Sequence, residues 1–295
     1  MTAYDPTAYA SRESVSRMSK DLRAAASTLT EQEARYFVDT YYALQESRIT
    51  SDARSREASK SGEPHEITVW LADSYRLMEQ QAKSALAKYV DAHPVGPWLT
   101  ATRGVGPVIA AGMLAHIDIE RSSSPSAIWR FAGLDPTVKW EKGKKRPWNA
   151  DLKRLCWILG ESFVKVGPSK PRVTGDADGK VYTEGVSSPY NDLYAKRKAY
   201  EIARNERGGN AETAKKQLAA KNYGKSTEAY KALIKGVLPD GQIHLRAERY
   251  AVKIFLSHLW QEWREITTGK PARGPWIIAH GGHSGMIERF HTTTT

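Results

Sequence analysis

A glycine-containing turn between two apolar segments carries the residues best suited to bind an anion. Gly104-Val105-Gly106-Pro107 follows a short helical segment and precedes the apolar run 108–114. Glycines permit a tight turn with positive φ and a close backbone approach, and proline suits the first position of a helix. We therefore expect the backbone N–H groups of Val105, Gly106 and Val108 to point outward at a helix N-terminus, where they can bind a phosphate oxygen.

The residues on either side of this turn suit two helices that approach each other closely. Leu99 is apolar, and positions 110–112 are Ala, Ala and Gly. The pattern predicts a helix-hairpin-helix, a module that grips the nucleic-acid backbone through phosphate contacts rather than through the bases. The alternative is a tight interhelical turn that binds nothing.

A strongly basic segment lies between this turn and a later predicted helix at 151–166. Residues 137–148 contain five cations and one acid, Glu141, and two more cations follow at the start of the helix. Such a cluster is typical of phosphate contact, although a solvated charged loop is the alternative. The two tryptophans of this segment could stack on bases or sugars, or pack against their own loop. The candidate nucleic-acid-binding residues are Arg103, Gly104, Val105, Gly106, Val108, Lys139, Trp140, Lys142, Lys144, Lys145, Arg146, Trp148, Lys153 and Arg154.

The apolar periodicity predicts a mainly α fold, a helical bundle around the central helix-hairpin-helix, with residues 137–148 forming either a short β-hairpin or an ordered loop. Thr30 is expected to cap one helix and Asn149 another. The composition of Ser51–Pro64 predicts a polar connector. The helix 66–92 can serve as a packing helix, a coiled-coil spacer or a dimer contact. The predicted regions are a polar, partly helical 1–64, an amphipathic spacer helix 65–98, a helix-hairpin-helix domain 99–166, a charged helical insertion 167–237, and a buried helix and tail 238–295 that pack on 99–166.

The net charge and the hydropathy of the sequence limit the kinds of molecule that the protein is expected to bind. The chain has 295 residues, a formal net charge of +11 and a sequence pI near 9.5. This charge favours nucleic acid or an anionic membrane surface. No apolar run suits a bilayer span and no secretory leader is recognised, so no membrane partner is expected. The single cysteine, Cys156, excludes an internal disulfide, fits a reducing cytoplasm and is expected to be a core residue rather than a nucleophile.

The histidines raise the question of a metal site. His280 and His283 are separated by two glycines, and His244, His258 and His291 lie elsewhere in the C-terminal part. We identify no histidine pair at i, i+4 spacing joined to a glutamate, which would be the specific zinc pattern. Packed or solvent-facing histidines are the better interpretation. No metal or cofactor is therefore expected, and His280 and His283 are the remaining candidates.

Residues 99 to about 166 resemble the C-terminal domain of the insertion-sequence 110/116/902-type transposases, the DEDD-type recombinases. Gly104-Val105-Gly106-Pro107 matches the hairpin of that family, and Phe131-Ala132-Gly133-Leu134-Asp135-Pro136 matches its "aGLxP" turn. The segment 149–161 matches its closing helix loosely. The resemblance covers roughly a quarter of the chain and implies a domain that binds nucleic acid.

The departures from the family pattern concern its chemistry. Members begin with a ribonuclease-H-like domain whose acids hold divalent metal, and the N-terminal part of this sequence shows no corresponding strand. The family also carries a nucleophilic serine in a loop after the "aGLxP" turn, whereas the corresponding loop 139–144 contains no serine. The resemblance therefore implies a nucleic-acid grip without strand transfer.

Three hypotheses follow. The first is a transposase-derived DNA-binding protein that grips the phosphate backbone and does not catalyse a reaction. Structured RNA is the alternative polymer. The second is an active recombinase or a metal-dependent nuclease, which requires clustered carboxylates among Asp118, Glu120, Asp135, Glu141, Asp151 and Glu161. The third is an assembly protein that forms a homo-oligomer through residues 65–92, with vestigial nucleic-acid binding. Cations dispersed or paired to acids would favour the third hypothesis over the first.

Overall fold

The computed structural model describes residues 15–167, 172–176, 179–183, 188–272 and 287–290. Within them the fold is mainly α, as predicted. The helices are α1 (Lys20–Ala25), α2 (Glu31–Ala58), α3 (Glu66–Ala92), α4 (Gly96–Ala101), α5 (Pro107–His116), α6 (Pro125–Phe131), α7 (Ala150–Lys165), α8 (Pro189–Glu206), α9 (Ala211–Ala220), α10 (Glu228–Ile234) and α11 (Asp240–Thr268), with a 3-10 turn at Ala26–Thr28. The strands β1 (Arg172–Asp176) and β2 (Gly179–Thr183) pair antiparallel, with Arg172 opposite Thr183.

The β-hairpin that was one option for residues 137–148 is not formed, and the described strands lie instead at 172–183. Residues 137–148 form an irregular loop with a turn closed by the Lys144 N–H to the Glu141 carbonyl at 3.1 Å, beside Gly143 with a φ of +91°. Like charges opposite each other destabilise a strand pair. The lysine-rich composition therefore favours an open loop over a ladder.

The chain divides into two compact units, and the division crosses the glycine turn. The first unit comprises Met1–Pro97 and Pro107–Ile117, and the second comprises Trp98–Gly106 and Asp118–Thr295. The five predicted regions stay a prediction. None of the helices in the described ranges combines the length and apolarity needed to cross a bilayer.

The first unit is built on the pairing of α2 with α3, and α5 packs against both. Thr30 and Glu33 form a capping box at the start of α2, as the Thr30 prediction implied. The connector predicted at Ser51–Pro64 is wrong for residues 51–58, because α2 continues to Ala58, while residues 59–64 lie between α2 and α3. Within this helical extension, Asp52 lies 3.2 Å from Arg48 and 2.8 Å from Arg76 of α3.

Helix α5 is the most completely buried helix of the first unit. Every residue from Val108 to His116 is buried, including the small residues at 110–112. The Arg35 Nε donates to the Ala115 carbonyl at 2.6 Å and so satisfies an acceptor near the end of α5. Small side chains let α2 and α3 approach this helix closely.

The second unit is organised around α11, which packs against α6, α7 and α8. Its core contains three aromatic rings in mutual contact: the Phe163 ring lies 4.8 Å from Tyr190 and 5.5 Å from Phe255, measured between centroids. Apolar burial of this kind is the main favourable term in folding. Helix α11 ends at Thr268, and the following Gly269 has a φ of +64°, the left-handed conformation that glycine adopts at helix ends.

Candidate nucleic-acid interface

The glycine turn has the conformation that the sequence predicts, but one of its N–H groups is already bound. Gly104 has a φ of +95°, and a Cβ at this position would lie 2.8 Å from the Phe163 ring. The Ser162 hydroxyl donates to the Gly104 carbonyl at 2.7 Å. The Val105 N–H donates to the Thr102 carbonyl at 3.0 Å and its side chain is buried, so the expectation that this N–H faces outward is wrong. Gly104 is thus required by its close contact with α7.

The other predicted residues of the turn differ in their burial and in their contacts. Arg103 is half-buried, and its Nε donates to the Gly167 carbonyl at 2.7 Å, just beyond α7. A Cβ at Gly106 would meet nothing within 4 Å. Val108 is buried in α5, which belongs to the first unit. Nucleic-acid binding by the turn stays a prediction, and the surface described below lies entirely in the second unit.

Hydrogen bonds hold both ends of the segment 137–148, which we call the basic loop. Gly133, two residues after the end of α6, has a φ of +65°, and the Leu134 N–H donates to the Trp129 carbonyl at 2.8 Å. The Asn149 N–H donates to the Phe131 carbonyl at 2.8 Å, and its side chain accepts from the Leu152 N–H at 2.8 Å, which confirms the predicted cap of α7. These bonds fix both ends of the loop relative to α6 and α7.

Most cations of the basic loop have no acidic partner among the residues that the structure describes. Lys144 pairs with Glu141 at 2.7 Å, and both side chains are exposed. Within the described ranges no ion pair involves the other four cations, all of them exposed, namely Lys139, Lys142, Lys145 and Arg146. Exposed cations without a counter-charge are available to phosphate groups.

The side chains of the two tryptophans of the loop contact neighbouring groups of the protein. The Trp140 indole N–H donates to the Lys144 carbonyl at 2.7 Å, while the Arg146 guanidinium lies 5.4 Å from the ring centroid. Trp148 packs over Gly133, and the Lys153 ammonium lies 4.2 Å from its ring centroid. Trp140 thus packs within the loop and Trp148 against residues that flank it, although part of the Trp140 ring remains exposed.

Helices α7 and α11 extend the positive charge of the loop. Burial lowers the pKa of Lys153, and the nearby positive charges of Arg249 and Arg146 lower it further. Burial also lowers the pKa of Lys253, where Asp135 acts in the opposite direction and Arg249 in the same direction. A positive charge that lowers the pKa of a lysine lies close to that lysine, so these cations are near neighbours. We call the following residues the basic surface: Lys139, Lys142, Lys145, Arg146, Lys153, Arg249 and Lys253.

Sequence reasoning missed part of this surface. Arg249 and Lys253 are four residues apart on α11, a spacing that places them on one face of a helix, but the sequence prediction for this segment is a buried helix. The signal was therefore present in the sequence. Trp157, 55 % exposed on α7, was also missed. The predicted Arg154 is exposed on the same helix.

The acids named for a recombinase or nuclease do not form one cluster. Asp118 accepts from the Arg121 N–H at 3.1 Å, Asp135 accepts from the Thr137 hydroxyl at 2.7 Å, and Glu120 lies 4.0 Å from Arg264. Glu141 pairs with Lys144. In the part of the chain that the structure describes, only Glu161 of the six belongs to a group of potential metal ligands. His280, His283 and His291 lie outside the described residues.

The second unit thus presents a basic surface on a helical scaffold, a combination found in proteins that contact the nucleic-acid backbone. In comparison with known families, the model of the Transposase IS116/IS110/IS902 family matches residues 97–150. The match confirms the resemblance and supports a transposase-derived role for a segment that includes the glycine turn, α5, α6 and the basic loop. Comparison with curated proteins and with solved structures gave no significant match.

Proposed function

We propose that this chain is a transposase-derived nucleic-acid-binding protein that grips the phosphate backbone of DNA without strand-transfer chemistry. The observation that carries the proposal is the imbalance of charge in the basic loop, where Lys144 has an acidic partner and the other four cations have none in the described ranges. Cations paired to acids would have favoured an assembly protein instead. The family match at residues 97–150 supports the same class of function.

The character of the surface favours backbone contact over base recognition. Lys142 and Lys145 are exposed lysines, which act as flexible point charges and make contacts that carry no sequence information. Binding should therefore show little sequence preference and a steep dependence on salt. DNA is the favoured polymer, and a structured RNA is the alternative that the test must distinguish.

The proposal that the chain lacks strand-transfer activity is supported by the residues considered for catalysis. The loop 139–144 offers no serine nucleophile. Three of the six acids named for catalysis, Asp118, Asp135 and Glu141, are each bound to local groups. A metal-dependent nuclease needs convergent carboxylates, usually around two metal ions about 4 Å apart.

The proposal is tested by fluorescence anisotropy of the full chain with labelled single-stranded DNA, duplex DNA, a four-way DNA junction and hairpin RNA. Each titration is repeated across a salt series, with and without Mg²⁺, and each probe is then examined on a denaturing gel. Salt-sensitive binding to DNA with an intact probe supports the proposal. Magnesium-dependent cleavage or joining refutes the absence of catalysis, tighter binding of RNA refutes the choice of polymer, and no binding at low salt refutes nucleic-acid binding altogether.

A second candidate function, self-association through residues 65–92, is favoured by an exposed apolar stripe on α3. Ile67, Leu71 and Met78 are 64 %, 39 % and 42 % exposed. Their spacing places them along one side of the helix, and a second copy of the chain could bury them. We expect Leu71→Glu to lower the mass measured by light scattering after size exclusion, whereas Ile49→Glu, an exposed apolar position on α2, should not. A monomeric wild-type chain would contradict this candidate.

A further inference from the structure

Three potential metal ligands on α7 and α11 converge in the second unit. His244 and Glu248 are four residues apart on α11, and Glu161 reaches them from α7. The His244 Nε2 lies 3.5 Å from the Glu248 Oε2 and 3.8 Å from the Glu161 Oε1. One ligand atom from each residue lies within 4.8 Å of the other two. The three side chains therefore point at a common position.

Glu248 is the most unusual member of this group. It is 2 % exposed, and its Oε2 has no hydrogen-bond partner among the described residues. Burial and the neighbouring charge of Glu161 raise the pKa of Glu248 to about 7. A buried carboxyl oxygen without a partner is costly unless a cation or a donor compensates it. Its orientation toward His244 and Glu161 indicates where that cation belongs.

The backbone of α7 makes room for the Glu248 carboxylate. Gly160 faces Glu248, and a Cβ at this position would collide with its carboxylate oxygen Oε1. Any larger residue at 160 would displace the carboxylate or separate the two helices. The close approach of α7 and α11 thus depends on a glycine beside one of the three ligands.

The other two ligands are held by neighbours that leave one atom free for the common position. The Tyr194 hydroxyl lies 2.8 Å from the His244 Nδ1, so Nε2 faces the carboxylates. The Lys165 ammonium lies 2.9 Å from the Glu161 Oε2 and leaves Oε1 toward His244. Metal-binding histidines commonly have their second ring nitrogen fixed by a hydrogen bond in this manner.

We propose that Glu161, His244 and Glu248 bind a divalent transition-metal ion, with Zn²⁺ as the preferred ion and Mn²⁺ as the competitor. Ligand atoms about 2.1 Å from a tetrahedral zinc lie about 3.4 Å apart, close to the two separations from the His244 Nε2. An imidazole with two carboxylates suits zinc or manganese better than magnesium or calcium, which prefer oxygen ligands alone. Glu161 and His244 are partly exposed, so water can occupy the remaining coordination position. This proposal is independent of nucleic-acid binding.

The test uses the full chain without an affinity tag and Co²⁺ as a spectroscopic substitute for Zn²⁺. We expect one equivalent of Co²⁺ to produce visible d–d absorption that Zn²⁺ abolishes by competition. His244→Ala and Glu161→Gln should each weaken binding by more than about tenfold, and Tyr194→Phe by about tenfold through the orientation of His244. Glu248→Gln should weaken it as strongly, with circular dichroism used to verify that this buried variant folds.

The matched control is the double variant His280→Ala with His283→Ala, which removes the other histidines considered for metal binding. Retained absorption in this variant, together with its loss in His244→Ala and Glu161→Gln, supports the proposed site. Absorption lost only in the double variant would assign the metal to those histidines and overturn the proposal. An absence of stoichiometric binding by the wild-type chain would overturn it equally, as would tighter binding of Mg²⁺ than of Zn²⁺.

Discussion

Removal of two cations from the basic loop should change the salt dependence of DNA binding by a predictable amount. Lys142 and Lys145 are exposed, and no described residue forms an ion pair with either. The double variant Lys142→Ala with Lys145→Ala should therefore lose two phosphate contacts while leaving the internal bonds of the loop intact. Each phosphate contact on duplex DNA contributes about 0.9 to the slope of log affinity against log salt concentration.

The expected magnitude follows from these two contacts. The slope should become shallower by about 1.8, and affinity at 0.1 M salt should fall roughly sixtyfold, or about 2.4 kcal/mol. The difference should shrink with rising salt and vanish near 1 M, because the lost term is the release of counterions. Lys144→Ala should lower the affinity for DNA less than Lys142→Ala or Lys145→Ala alone, because Lys144 already pairs with Glu141.

Fluorescence anisotropy on a duplex at several salt concentrations measures both quantities. The matched control is Lys215→Ala with Lys216→Ala, which removes the same net charge from exposed positions on α9. An unchanged slope in the loop variant would refute phosphate contact by the basic loop. An equal change in both variants would show that binding follows the net charge of the chain rather than this surface.

Three further predictions concern stability and reactivity. Burial raises the pKa of the Cys156 thiol to about 12, so the native protein should react with a thiol reagent at pH 8 only as fast as it unfolds, and rapid reaction without denaturant would contradict this. Gly104→Ala should lower the free energy of unfolding by about 2 kcal/mol, because the position combines a φ of +95° with a close contact to Phe163, while Gly106→Ala, which meets nothing within 4 Å, should cost less in urea titrations. Burial lowers the pKa of His258, so the native state binds fewer protons than the unfolded state. The contribution of His258 to the free energy of unfolding should therefore be fully present above about pH 6.5. Below that pH it should decline by at most about 1.4 kcal/mol per pH unit. His258→Gln should remove that component, and an identical pH profile for the variant would refute the assignment.

Helix ends could be predicted from the sequence because their signals are local. The Thr30 and Asn149 side chains form the caps that their residue types imply, and Gly133, just after α6, has the positive φ common for glycine after a helix. Each of these features involves residues that are near neighbours in the chain. Short-range chemistry alone determines them.

The extension of α2 and the shape of the basic loop could not be predicted in the same way. Residues 51–58 have the composition of a polar connector, yet they are helical, and Asp52 pairs with Arg76 of another helix. In the loop, the bond from Asn149 to Phe131 joins positions 18 residues apart. Tertiary interactions decide both structures and override the local pattern.

Both candidate sites of the second unit depend on which side chains of α7 and α11 face each other. The sequence predicts that 238–295 packs on 99–166, but it does not identify these side chains. The family match ends at Ala150, before Lys153, and far from Arg249 and Lys253 in the chain. A resemblance confined to residues 97–150 could therefore identify the loop but not the helices that complete its charge. The same pairing brings Glu161 to His244 and Glu248. The spacing of His244 and Glu248 is visible in the sequence, but its significance depends on a third ligand from α7 and on Gly160, whose missing side chain allows the carboxylate to approach.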